Sequence, residues 1–146
     1  MRKGTQDLMK CMGEGGCFVL CLIELCKTQF GLVGDTIDLI WQGVDRGFIH
    51  YNPNKPKDDM CGYVYEIYAL IKLWTGKDVK EQRQEISGYE KKCVENHINF
   101  WQLPNAMPSV GHFTYGSFDP LENSNTVRNG YLKEIRRYEA LGRETK

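Results

Sequence analysis

Apolar and polar positions divide this chain into a helical first half and a strand-like second half. The densest apolar run, "CFVLCLIELCKT" over residues 17–28, is apolar on all sides for about three turns, which predicts a helix buried at the centre of the fold. "GLVG" then turns the chain. Asp35 is placed to cap a second helix, along which Ile37, Ile40, Trp41, Val44 and Phe48 recur at helical spacing. Prolines and charges mark "NPNKPKDD", residues 52–59, as a loop. A third helix is predicted from about Gly62, with Val64, Ile67, Tyr68, Ile71 and Trp74 on one face and Gly76 closing its end.

Beyond Gly76 the period changes. Residues 77–85 are polar and read as exposed. "CVENHINFW", residues 93–101, alternates with Val94, Ile98 and Phe100 on one side, a strand pattern. "LPNAMPS" reads as a loop and "VGHFTYGSFDP" as a hairpin. "VRNGYLKEIRRY" carries an Asn-Gly turn signal. Its second half stays open between strand and helix, because Leu132, Ile135 and Tyr138 fit both periods. The last eight residues read as a loose tail. Helices first and strands later place the chain in the α+β class, as one domain over residues 1–146 with N-terminal helices packed on a C-terminal antiparallel sheet.

Composition adds mainly exclusions. With 146 residues, 41% of them hydrophobic, the chain can bury a core without disulfide or metal. Its formal net charge of zero gives no drive toward nucleic acid or an anionic membrane. No run approaches the roughly 20 apolar residues of a membrane span. "MRKGTQDLMK" lacks the apolar stretch of a secretory signal, so a cytoplasmic protein is expected. Cysteines stand at 11, 17, 21, 26, 61 and 93 with no C-x-x-C pair, so zinc is not called for. In a cytoplasmic setting they are expected as thiols, with Cys21 and Cys26 serving as small core residues. No metal and no cofactor are expected.

The candidate chemistry lies in two short stretches. "GEGGC", residues 13–17, puts glycines and a cysteine at the mouth of the buried helix. It lacks the Lys-Ser ending of a phosphate loop. A thiol at a helix N-terminus feels the positive end of the helix dipole, which favours the thiolate nucleophile, and preceding glycines leave backbone amides free for an oxyanion. In "GHFTYGSFDP" a two-residue Tyr115-Gly116 turn sets Phe113 against Phe118 and His112 against Asp119. A carboxylate on one imidazole nitrogen fixes the tautomer and frees the other nitrogen as a base. Cys17, His112 and Asp119 are therefore the catalytic candidates. His50 and His97 have no evident partners, and the aromatics Tyr63, Tyr68 and Trp74 read as core.

The order of these pieces resembles the papain-like cysteine peptidases, and more closely the bacteriocin-leader-processing type. There too a cysteine opens the central helix, a His-Phe pair begins a strand and an aspartate precedes a proline. "RGFIHYNPNKPKDDMCGYVYEIYALIKLWTG" and "HFTYGSFDPLENSNTVRNG" are also similar to small phage and prophage proteins of that group. The likeness spans roughly residues 5–138. It implies a papain-like fold and a thiol hydrolase acting on a peptide or isopeptide bond through Cys17, His112 and Asp119, in a bacterial or phage-infected cell. Two departures stand out. The family carries an oxyanion-binding glutamine six residues before the cysteine, where this chain has Cys11; Gln6, brought in by a longer loop, and the Cys17 amide are the remaining donors. The stretch from His112 to Asp119 is also shorter than the family's. The resemblance thus carries an alternative, a papain-type scaffold retired from chemistry that binds and antagonises a host defence protein.

Overall fold

The computed structural model describes residues 2–56 and 58–142. Among the described residues, five helices and a four-stranded antiparallel sheet make an α+β fold. The first helix, α1 (Thr5–Gly15), buries Leu8, Cys11 and Met12 at helical spacing. It runs through most of "GEGGC", although glycine is a poor helix former. Only Gly16 interrupts the helix before α2 (Cys17–Phe30) begins.

The glycines here serve packing. A Cβ on Gly15 would overlap the Cys61 carbonyl oxygen, and one on Gly62 would come within 2.9 Å of the Gly15 oxygen and the Gly16 Cα. The 61–62 backbone thus lies directly on the joint between α1 and α2. A disulfide between Cys11 and Cys61, with Cα atoms 5.5 Å apart, ties the same two segments together. This corrects the expectation of six free thiols; Cys17, Cys21, Cys26 and Cys93 are free.

Helix α2 is central as its apolar run predicts, burying Val19, Cys21, Leu22, Ile23, Leu25 and Cys26. Asp35 caps α3 (Thr36–Asp45) by accepting from the Ile37 and Asp38 amides. Phe48 falls beyond that helix. The predicted third helix starts later, as α4 (Ile67–Thr75). Val64 pairs instead with Ile49 across a short bridge, which His50 and Tyr63 continue through a 2.8 Å backbone hydrogen bond. That bridge closes the 50–65 loop. His50 also acquires partners the sequence did not reveal, with Nδ1 on the Tyr65 hydroxyl and Nε2 on Asp58. Trp74 is core, but Tyr63 and Tyr68 are exposed.

The sheet comprises β1 (Val79–Glu85), β2 (Ile98–Gln102), β3 (His112–Tyr115) and β4 (Tyr131–Ala140) in the order β1-β4-β2-β3. The polar stretch at 77–85 is exposed but is an edge strand, where charged side chains block further pairing. Residues 93–97 do not join β2, because Asn96 turns the chain with a φ of 65°. The Asn-Gly pair closes α5 (Asn125–Asn129) rather than a hairpin, and residues 131–138 are strand. Strand β4 also claims residues 139–140 of the expected tail, while 143–146 lie outside the described residues.

Ile98, Tyr115 and Tyr138 join the helical core on one face of the sheet. Trp101, Leu132 and Ile135 form a smaller cluster on the other, covered by Ile86, Cys93, Val94 and Val127. No helix among the described residues is long and apolar enough to cross a membrane.

Candidate active site

Cys17 is the first residue of α2, where a helix has no intrahelical acceptor for its N–H. The Gly16 amide donates to the Met12 carbonyl, and the Cys17 amide has no backbone acceptor among the described residues. The helix packs on β3, the edge strand opposite β1. Phe18 meets Phe113 edge-on at 5.1 Å between ring centroids, and Gln29 donates to the Tyr115 hydroxyl at 2.8 Å. These two contacts fix α2 along the strand and bring its N-terminus to the strand's first residue, His112.

The expected hairpin forms with its turn one residue later. Tyr115 and Phe118 exchange both backbone hydrogen bonds around Gly116-Ser117, because Gly116 takes the positive φ (54°) that Tyr115 would accept poorly. Continued by one residue, this register sets Asp119 against Thr114, so His112 is its diagonal neighbour on the same face. The carboxylate still reaches the ring: His112 Nε2 and Asp119 Oδ1 lie 2.6 Å apart, with both side chains almost fully buried. Asp119 also accepts from the Leu121 amide at 2.9 Å and the Ser124 amide at 2.8 Å. On the other flank His112 pairs across the sheet with Trp101, whose indole donates to Thr114 Oγ1 at 2.9 Å.

Protonation follows from these contacts. Burial alone raises the pKa of the Asp119 carboxyl, but the Ser124 amide, His112 and the Leu121 amide outweigh it and hold it below the ordinary value. An ionised Asp119 only accepts, so His112 Nε2 carries a hydrogen and Nδ1 is the nitrogen left for the thiol. Burial lowers the His112 pKa, but the nearby Cys17 and Asp119 outweigh it and raise the value above that of an ordinary imidazole. The structure thus joins His112 to Asp119, with Cys17 near enough to act on the ring. No protein-family model, curated protein or solved structure matches this chain.

The fourth candidate, Gln6, is not brought in. It is exposed in the first turn of α1, and at about 1.5 Å per residue the helix holds it roughly 15 Å along the axis from Cys17. The longer loop that would deliver Gln6 does not exist, because residues 5–15 are helix. Position 11 is taken by the disulfide.

A cleft of about 540 Å³ opens beside Cys17, lined among others by Phe18, Asp59, Tyr63, Arg83, Phe113 and Arg136. Only Cys17 of these was visible as a site residue in the sequence; the two arginines are placed by strand pairing, which leaves no local signal. A larger hollow of about 750 Å³ near Tyr68, Asp78 and Leu141 contains none of the three catalytic candidates. Among the described residues no cluster of three or more His, Cys, Asp or Glu side chains could hold a metal ion.

Proposed function

We propose that this chain is a thiol hydrolase of papain-like architecture that cleaves a peptide or isopeptide bond. The observation that carries the reading is a buried histidine held by a carboxylate on Nε2, close to the cysteine at the mouth of a helix. Cys17 Sγ attacks the substrate carbonyl carbon as its proton passes to His112 Nδ1. The carbonyl oxygen becomes the oxyanion and takes a hydrogen bond from the Cys17 amide. His112 returns the proton to the departing amine nitrogen, the C–N bond breaks and a thioester remains on Cys17. Water then attacks the thioester, giving its proton to His112, and the acid product leaves as the thiol is restored. The sum is one amide and one water converted to an acid and an amine. Asp119 holds the ring in register throughout and stabilises its charged form.

A thiol-directed electrophile such as a peptidyl vinyl sulfone tests this. Cys17 should be labelled at neutral pH well ahead of Cys93, and His112→Ala should slow that labelling sharply while leaving Cys93 unaffected. Labelling of Cys17 no faster than Cys93, or unaffected by His112→Ala, would refute the reading. That result would favour the second one, a papain-type scaffold retired from chemistry that binds a host defence protein, for which the disulfide at position 11 in place of the family glutamine already speaks.

A further inference from the structure

Two arginines stand side by side in the wall of the Cys17 cleft, where sheet geometry by itself disfavours them. Arg83 of β1 and Arg136 of β4 are directly opposed partners. Opposed residues point to one face with Cβ atoms about 4.5–5.5 Å apart, and like charges there destabilise the pair. Each arginine is tethered through Nε, Arg83 to Glu81 and Arg136 to Glu134. The tethers offset the repulsion and orient the guanidinium groups. Among the described residues the terminal Nη groups make no hydrogen bond to protein.

Arg136 is the more buried of the two. Its side chain is only 14% exposed, and its guanidinium lies 5.0 Å from the Phe113 ring centroid and 5.6 Å from that of Phe18. Those are the residues that directly follow His112 and Cys17. The two rings, 5.1 Å apart, sit together on one side of the guanidinium, and its free Nη groups have the fork that binds a carboxylate through two parallel hydrogen bonds. Both arginines and both rings line the one cleft into which Cys17 opens. The third charged side chain there is Asp59.

We propose that Arg136 and Arg83 form a carboxylate-binding subsite that holds an acidic group of the substrate peptide beside the bond attacked by Cys17. The group is either an Asp or Glu side chain or the peptide's own C-terminal carboxylate. The proposal rests on the thiol-hydrolase reading for its substrate class, yet it is tested in a protein that cannot turn over. Binding of fluorescein-labelled peptides to Cys17→Ala is followed by polarisation, using three sets. One carries a single Glu, walked through each position of an amidated neutral peptide. The second is the same neutral peptide with a free C-terminus. The third has neither carboxylate.

At least one carboxylate-bearing peptide should bind about tenfold or more tightly than the neutral amide, the worth of a good charge-assisted hydrogen bond. Which set wins identifies the source of the group. Arg136→Gln and Arg83→Gln should each abolish the preference, and Arg136→Lys should restore only part of it, since an ammonium lacks the fork. Arg83 lies on the exposed edge strand, so its variant keeps the test open even if Arg136→Gln fails to fold. Equal affinity for all three sets, no binding by any of them, or a preference that survives Arg83→Gln would each overturn the proposal. None of these results touches electrophile labelling of Cys17, which judges the hydrolase reading separately.

Discussion

Replacing Asp119 with asparagine keeps the shape of the side chain and removes one acceptor. Three donors converge on the carboxylate: His112 and the Leu121 amide on Oδ1, and the Ser124 amide on Oδ2. An amide offers one oxygen for these positions. If its NH2 faces Ser124, two donors meet head-on, and His112 loses the negative charge that supports its protonated form. If it is flipped, the NH2 opposes the Leu121 amide and donates to His112 Nε2. That moves the ring hydrogen to Nδ1, where it blocks proton transfer from Cys17. Both orientations leave a donor unmatched at a nearly buried site, at a cost of about 1–3 kcal/mol. For a chain of this size each kcal/mol is about 2–4 °C in melting midpoint, so Asp119→Asn should melt roughly 2–12 °C lower. General-base assistance is worth about 10²–10⁴ in rate, so electrophile labelling of Cys17 at pH 7 should slow by about 10²-fold or more. Calorimetry and a labelling time course resolved by mass spectrometry measure both quantities. A D119N protein that labels Cys17 at the parental rate across the pH range would refute the pairing of carboxylate, ring and thiol.

Gly13→Ala and Gly15→Ala should have opposite signs: position 13 is an open site in α1 and gains about 0.5–1 kcal/mol, whereas a Cβ at 15 strikes the Cys61 backbone and lowers the melting midpoint. Equal effects would show that the 61–62 segment does not rest on that joint. Because the folded pKa of His112 is raised, its charged form stabilises the native state fully below about pH 6.5, and that contribution is lost as the pH rises through the folded value. The stability gap between parent and His112→Ala, from urea titrations, should therefore be wider at pH 5.5 than at pH 9; a gap that widens toward alkaline pH would contradict it. In the native protein Cys21 and Cys26 should resist thiol reagents at neutral pH, since burial pushes Cys26 up to about 12 and Cys21 higher still. Denatured unreduced protein should show four thiols and reduced protein six; six without reductant would remove the Cys11–Cys61 bond.

Much of the architecture was legible where a signal is local. The all-round apolar run at 17–28 requires burial, and Asp35 caps where its side chain can reach two amides. What escaped depends on partners distant in sequence. Polar residues 79–85 form a strand only because β4 accepts them. The glycines of "GEGGC" suggest looseness by composition, yet they are small to let the 61–62 backbone through. Cys11 and Cys61 are 50 residues apart, and nothing in their surroundings announces the bond. The site was legible at Cys17, His112 and Asp119 because a hairpin keeps two of them local. The register argument placed the turn one residue early and still named the right pair, since diagonal neighbours share a face. Gln6 was misplaced because a helix was taken for a loop. Arg83 and Arg136 were invisible because their neighbourhood exists only in the sheet.

The strand order has a consequence for how this protein is made. Strand β4, the last element of the chain, lies between β1 and β2 in the middle of the sheet. A growing chain that has released β1, β2 and β3 therefore holds two separate pieces, β1 and the β2–β3 pair, with no strand to join them. At about 5–20 residues per second, several seconds separate the emergence of Cys17 from that of Tyr131. Throughout that time the β2–β3 pair that carries His112 is not joined to β1. A ribosome stalled before residue 131 thus displays a chain whose sheet is still in two parts.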